Sequence, residues 1–332
     1  MKDYPTVTVA AVQAAPVYMN LGATVEKTCQ LVDEAASNGA KVIAFPEAFI
    51  PGYPWWIWLG NGDYGMPFYI KLYKNAVEIP SPATKKLAEA AKRNKVYYCV
   101  SVTEKDGGSL YLTQLWFNPQ GNLIGKHRKL KASSTEMTIW GDGDGSMMPV
   151  FDSEYGRLAG LECWEHDIPL NVAAMASLNE QIHVASWPSF FPQDGHLFSI
   201  EPCETVQKCY SITNQCFSLM SSQLWTKEME EMICLNEEQR KVMAYGYGCT
   251  RIIAPNGKIL ASVPHDQEGI AYATIDLEQI IPGKYLTDPA GHYSTPSCLR
   301  LIFDQTEHFP VTKIGKQTEY FYSYDELVKE DK

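Results

Sequence analysis

One stretch of the chain sets a reactive thiol where chemistry is possible: Arg157-Leu-Ala-Gly-Leu-Glu-Cys163-Trp164-Glu165-His166-Asp167-Ile-Pro169-Leu170. Leu158 to Leu161 reads as a buried strand ending in the cysteine. The polar patch after it reads as a sharp turn, and Leu170 to Leu178, behind Pro169, as a helix. A nucleophile on such a turn stands clear of the sheet and near the positive end of the helix. Backbone N–H groups there can stabilise a thiolate or a developing anion. Most free cysteines are simply small buried side chains, and the chain has nine, so Cys163 carries little weight alone.

Two further reactive side chains fall at the ends of expected strands. Glu47 follows Lys41 to Phe45, and Lys129 closes Asn122 to Lys129. Each also has a plain reading, Glu47 as a solvated loop carboxylate. Lys129 belongs to the run Lys126-His127-Arg128-Lys129-Leu130-Lys131, and such runs are usually solvated faces. Taken together the three gain weight, because sites in α/β folds assemble at strand carboxyl ends. His166, three residues past Cys163, raises a rival arrangement, a Cys-His pair on one helical face. The aromatics Tyr53, Trp55, Trp56, Trp58, Trp187, Phe190 and Phe191 are core residues by type. Of these, Tyr53 and Trp187 are the expected pocket residues.

The elements that must hold these groups follow from periodicity and turn chemistry. Val7 to Ala14 is a buried strand, Ala23 to Asn38 a helix stopped by Gly39, and Lys41 to Phe45 a strand with Pro46-Glu47 at its end. This β-α-β order implies parallel strands. The aromatic loop Gly52 to Trp58 comes next, and Ser81-Pro82 opens a helix to about Asn94. Val96 to Thr103, the turn Asp106-Gly107-Gly108 and Ser109 to Phe117 form a hairpin, followed by Asn122 to Lys129. The glycine- and aspartate-rich stretch Ala132 to Pro149 is an irregular, ligand-facing loop. After the cysteine turn come a helix from Pro169 to Asn179, a strand from Gln181 to Trp187 and a long loop from Pro188 to Pro202. A helix from Glu204 to Asn214, a strand from Cys216 to Ser221 and a helical stretch from Met229 to Val242 follow. The strands Thr250 to Ala254, Ile259 to Ser262 and Gly269 to Asp276 close the pattern, and beyond about Pro282 the chain is a mixed tail. Two similar halves emerge, and two sheets with helices on their outer faces would bury both.

Composition narrows the function. The chain has 332 residues, a hydrophobic share of 45%, a charged share of 20% and a net charge of −11. That balance suits a globular protein with a large core, and it argues against nucleic acid or an anionic membrane as partner. Small-molecule substrates and a cytoplasmic location are expected. No secretory h-region is read at the start, and no run approaches the ~20 apolar residues that span a bilayer. The cysteines form no CxxC pair and the seven histidines show no ligand spacing, so neither a disulfide framework nor a metal site is expected.

Three motifs in order carry a family resemblance. Gly39-Ala-Lys-Val-Ile-Ala-Phe-Pro-Glu47-Ala-Phe-Ile-Pro-Gly52-Tyr53-Pro54, Arg128-Lys129-Leu130-Lys131 and Cys163-Trp164-Glu165-His166 resemble the nitrilase branch of the carbon–nitrogen hydrolase superfamily. The likeness runs as far as Asp288-Pro-Ala-Gly-His292-Tyr-Ser294. Phe45 to Pro54, Glu104 to Leu112 and Trp140-Gly-Asp-Gly are similar to bacterial cyanide dihydratases and aliphatic nitrilases in particular.

The resemblance implies an α/β fold, a four-layer α-β-β-α sandwich, over residues 1–282. Residues 283–332 would be an extension packing on that domain or at subunit contacts. It implies a Glu-Lys-Cys triad at Glu47, Lys129 and Cys163, with Glu136 as the second glutamate and the Trp164 backbone N–H as an anion donor. His166, grouped here with Tyr53 and Trp187 around the pocket, takes a structural role by this resemblance. The implied chemistry is nitrile to carboxylic acid and ammonia, without cofactor or metal. The alternative is cyanide to formate. An amidase, a carbamoylase or a non-catalytic scaffold is further off. Self-association into dimers and helical oligomers is implied too, through surfaces such as Met229 to Tyr247 and the tail. Three departures stand out: Lys131-Ala132-Ser133 after the lysine, Ala159-Gly160 before the cysteine, and Asn171 after the Pro-Leu pair. The loop Pro188 to Pro202 is longer than in cyanide dihydratases, which favours organic nitriles.

Overall fold

The computed structural model describes residues 4–193, 195–243 and 245–308, with positions 311, 314, 315, 322, 323, 327 and 328. In the first half, β1 (Thr6–Ala14), α1 (Leu21–Ser37), β2 (Val42–Ala44), α2 (Gly62–Lys74), α3 (Pro82–Asn94), β3 (Tyr97–Asp106), β4 (Ser109–Phe117) and β5 (Leu123–Arg128) follow one another. The second half runs β6 (Phe151–Ser153), β7 (Gly156–Glu162), α4 (Pro169–Leu178), β8 (Ile182–Trp187), α5 (Ile200–Asn214) and β9 (Phe217–Gln223). It ends with α6 (Lys227–Ile233), α7 (Glu237–Val242), β10 (Arg251–Ile253), β11 (Ile259–Ser262), β12 (Gly269–Asp276) and α8 (Ile280–Leu286).

The strands run in the order β5-β4-β3-β2-β1-β9-β8-β7-β6, with β12 on β1 and β10 on β9. β1, β2 and β3 are parallel, as are β7, β8 and β9. In the ribbon β1 meets β9 through Gln13 opposite Ser222 and Ala14 opposite Gln223, and β12 of the second half runs antiparallel along β1 from Thr6 to Gln13. There the ribbon folds back, and the two halves lie face to face. Gln114 of β4 donates to Leu161 O at 3.0 Å and to Ser186 Oγ at 2.9 Å, and Ser186 Oγ donates to Phe45 O at 2.9 Å. A Cβ on Gly160 would fall 2.5 Å from Gln114 Oε1, so glycine at that position lets the layers close.

Period-two alternation sorts each strand between two cores. Val7, Val9, Val42, Trp116, Leu158, Val184 and Leu219 fill the space between the sheets. Ala10, Val12, Ile43 and Val100 face the other way, under α1 and α3 through Val32 and Leu87. Ala159 and Leu161 pack under α4 and α5 through Met175 and Tyr210. The layer order is therefore α-β-β-α, as the motifs implied. Among the described residues no helix is long and apolar enough to cross a membrane.

Most expected elements stand within a few residues of their places. The α3 start is the capping box of Ser81 and Thr84 with Pro82 in the first turn, as Ser81-Pro82 predicts. Four details differ. Gly62–Lys74 is a helix where none was expected; Asn61 caps it through Tyr64 N, and it runs on past Pro67 one hydrogen bond short. Met229 to Val242 is not one helix, because the chain breaks after Ile233 and Asn236 caps a new start through Gln239 N. Helix α5 begins at Ile200, inside the expected loop. The chain at Pro282 is helical, with Pro282 in the first turn of α8. Of the expected extension, the stretch to residue 308 is mostly exposed and folds back to the Asp144 turn, where His308 N donates to Asp144 Oδ2 at 2.8 Å. Most of residues 309–332 lie outside the described residues.

Candidate active site

Four elements deliver the reactive groups to one end of the sandwich. Beyond β2, Glu47 N donates to Trp187 O at 3.1 Å, and Gln223 Nε2 donates to Glu47 O. The next residue, Ala48, has φ 45°, and its N–H donates to Ser101 Oγ of β3 at 2.7 Å. Lys129 is the first residue past β5 and is fastened to β4 through Leu112 O at 2.9 Å. Glu136 lies in a 3-10 turn, Ser134–Thr138. Cys163 follows β7 directly, with φ 48° and 1% exposure, and starts the 3-10 turn that leads to α4. That positive φ is a strained conformation for a residue with a side chain, and the surrounding bonds must hold it.

The polar groups converge on Lys129. Its Nζ donates to Glu47 Oε1 and to Glu136 Oε2, each at 2.8 Å. Glu136 is held twice more, by Ser133 N at 2.8 Å and by the Tyr53 hydroxyl at 2.7 Å. Glu47 Oε2 is buried and has no hydrogen-bond partner. All three charged groups are sealed from solvent.

Burial and charge set the proton affinities. Burial alone would lower the Lys129 ammonium, but Glu136, Glu47 and Cys163 outweigh it and hold Lys129 well above the usual lysine range. Glu47 is pushed up to about 8, by burial first and by the like charge of Glu136, against the pull of Lys129. Burial raises the Cys163 thiol well above its ordinary value, and Glu47 adds to this while Lys129 opposes it. The arrangement is thus a fixed cation beside a base that still holds a free lone pair and a thiol that needs one.

The pocket candidates divide. Tyr53 joins the polar network and packs at a tilt against Trp55, ring centroids 4.6 Å apart. Trp187 lies behind the cysteine turn; its Nε1 donates to Gln207 Oε1 at 3.1 Å and its ring stacks on His166 at 5.6 Å. His166 faces backbone and another histidine: Nδ1 is 2.6 Å from Cys163 O and Nε2 is 2.8 Å from His183 Nε2. It is therefore directed at the cysteine's carbonyl.

The basic run is not the solvated face its composition suggests. His127 meets Glu165, Arg128 meets Glu104 and Asp106, Lys129 meets two glutamates, and only Lys131 pairs at the surface, with Asp142. The sequence reading passed over Glu165, which accepts from His127 Nε2, Leu130 N and Glu162 N, each at 2.8 Å. It ties the lysine loop to the cysteine strand. The signal was its place inside Cys163-Trp164-Glu165-His166, where a buried carboxylate needs donors from another segment. Among the described residues no group of three or more His, Cys, Asp or Glu side chains is arranged to hold a metal ion.

Comparison with known proteins identifies the family. The carbon–nitrogen hydrolase family pattern matches residues 8–285. A nitrilase of Bacillus sp. (strain OxB-1) is 66% identical over 328 residues, spanning 98% of this chain and 96% of its own. An aliphatic nitrilase of Rhodococcus rhodochrous is 42% identical, covering 92% of this chain and 85% of its own. Among solved structures, Saccharomyces cerevisiae Nit3, a member of branch 10 of the nitrilase superfamily, superposes with a TM-score of 0.68 at 20% identity. It covers 89% of this chain and 97% of its own. At that identity the likeness concerns the fold.

Proposed function

Since the chain belongs to the carbon–nitrogen hydrolase family and is a nitrilase, we propose that Glu47, Lys129 and Cys163 perform the hydrolysis, with Glu136 beside them. The observation that carries this reading is the division of labour at Glu47: Oε1 is held by Lys129 while Oε2 keeps a free, buried lone pair. An acceptor so placed is a general base for the Cys163 thiol, whose proton burial makes hard to lose unaided.

In this reading Glu47 takes the thiol proton and the thiolate adds to the nitrile carbon. The nitrogen gains a proton and a thioimidate forms. Lys129 and the Trp164 backbone N–H stabilise charge on that nitrogen and later on an oxyanion, and each such donor is worth about 3 kcal/mol. A water, deprotonated by Glu47 and positioned by Glu136, adds to the thioimidate carbon. The tetrahedral intermediate expels ammonia and leaves a thioester. A second water releases the carboxylic acid and returns the proton to Cys163. The balance is one nitrile and two waters to one acid and one ammonia.

The substrate we propose is an organic nitrile. The relatives named as nitrilases and aliphatic nitrilases support this reading. The alternative is cyanide hydrolysed to formate on the same residues. We also propose that copies associate through outer helices and loops into dimers and longer assemblies. No cofactor is invoked, and the expected setting remains cytoplasmic.

Ammonia release should be measured with cyanide, a short aliphatic nitrile, an aromatic nitrile, an arylacetonitrile and a simple amide, with Cys163→Ala alongside. Release from organic nitriles and none from Cys163→Ala is expected. Release from cyanide alone would move the assignment to the alternative, and full activity in Cys163→Ala would end the thiol mechanism.

A further inference from the structure

Behind the cysteine turn runs a buried line of polar groups that the reaction above does not use. His166 Nδ1 is 2.6 Å from Cys163 O, His166 Nε2 is 2.8 Å from His183 Nε2, and His183 Nδ1 is 2.6 Å from Glu180 Oε2. The other oxygen of Glu180 accepts from the Tyr210 hydroxyl and from Asn214 Nδ2 on α5. All five side chains are at most 3% exposed.

What each end of this line can do fixes where the protons sit. A carbonyl oxygen only accepts, so His166 carries its proton on Nδ1. Burial, with His183 beside it, holds His166 well below the ordinary histidine range. It is neutral, and its Nε2 is a bare acceptor that His183 Nε2–H must fill. Burial alone would raise Glu180, but His183, Tyr210 and Asn214 outweigh it and keep it an anion below the usual carboxylate range. An anionic carboxylate also only accepts, so His183 donates from Nδ1 as well. A ring that donates from both nitrogens is an imidazolium.

We propose that Glu180 and His183 form a buried ion pair that acts through His166 to position and polarise the Cys163–Trp164 peptide. The His166 N–H pulls on the carbonyl of that peptide, and the N–H at its other end belongs to Trp164. Hydrogen bonds in series strengthen one another, by about 10–30% per bond, so the Trp164 N–H becomes a better donor to the anion formed at the substrate. The same bond helps hold Cys163 at its positive φ. This inference rests on the reading of Trp164 as an anion donor. His166, His183 and Glu180 are positioning residues, since none touches the reacting atoms.

The test joins a spectroscopic signature to a rescue. In nitrogen-15 histidine-labelled enzyme at neutral pH, His183 should have both ring nitrogens protonated and His166 only Nδ1. Glu180→Gln should remove one of the His183 ring protons. His166→Leu should lower kcat about tenfold, a fraction of the effect of losing an oxyanion donor outright, with KM little changed. His166→Asn, whose amide can still donate to Cys163 O, should recover most of the loss. A His166 proton on Nε2, a singly protonated His183, or equal kcat in His166→Leu and wild type would each overturn the proposal. Wild-type enzyme that releases no ammonia from any nitrile would instead sink the assigned reaction, and this inference with it.

Discussion

The Tyr53 hydroxyl donates to Glu136 Oε1 at 2.7 Å, with both groups out of solvent. Glu136 in turn accepts from Lys129, so a residue of the aromatic loop steadies the ammonium from two bonds away. Removing only that hydroxyl, in Tyr53→Phe, takes away a hydrogen bond to a charged group, worth about 1.5–3 kcal/mol. A fall in kcat of at least about tenfold is expected at unchanged far-ultraviolet circular dichroism. Equal kcat in the two proteins would separate Tyr53 from the site.

The pH dependence should rise toward alkaline values. In the proposed role Glu47 must be ionised to act as base, and it is held at about 8, so kcat/KM should climb through that pH. In Glu136→Gln the like charge is gone and Lys129 has one carboxylate partner fewer, so the acid limb should move to lower pH while the maximum falls. The same proton affects stability. The folded chain keeps it up to about 8, against the ordinary 4.5. Stability is therefore present in full below about 4.5 and is lost as the pH rises through 8. An acid limb that stays in place in Glu136→Gln would remove that glutamate from the electrostatics of Glu47.

Glu165 bridges two segments that must meet, and the amide of Glu165→Gln cannot accept all three of its donors. One donor would be left facing an N–H, and a buried unsatisfied group costs about 1–3 kcal/mol. The urea midpoint should fall accordingly, and kcat should fall as well, because Leu130 and Glu162 are the immediate neighbours of Lys129 and Cys163. A variant as stable as wild type would refute the bridge.

Association should involve the outer helices. Helix α4 keeps Leu170 exposed at 64%, with Ile168 just before it and Ile212 of neighbouring α5 also exposed. Exposed apolar residues on an outer layer suit a covered surface. Sedimentation velocity should give particles larger than a monomer, and Leu170→Glu should shift them to smaller sizes. A wild-type chain that sediments as a monomer at all concentrations would end that proposal.

Much of this was legible in the sequence because local signals and tertiary demands agree. Ser81-Pro82, Asp106-Gly107-Gly108 and the alternating strands mark elements whose chemistry is local. Glu47, Lys129 and Cys163 stand out because each follows a strand. What escaped was set by partners far along the chain. Lys126 to Lys131 reads as a solvated run until Glu104, Glu165 and Glu47 supply its counter-charges from elsewhere. Gly62–Lys74 carries a proline that argues against a helix, yet Asn61 caps it and Tyr64 anchors it by donating to Ile233 O. His183 and Glu180 gave no signal because their meaning depends on His166, which only the cysteine turn brings to them.

The depth of Cys163 also governs how the thiol can be counted. Cys209 and Cys298 are exposed, whereas Cys163 is buried with six others. A bulky maleimide added to the native enzyme will mark the two surface cysteines first and leave the proposed nucleophile untouched. Labelling stoichiometry would then report on tags and oxidation damage while activity stayed whole. A slender electrophile that fits the substrate's own route would do the reverse, silencing the enzyme while most of its thiols remained free.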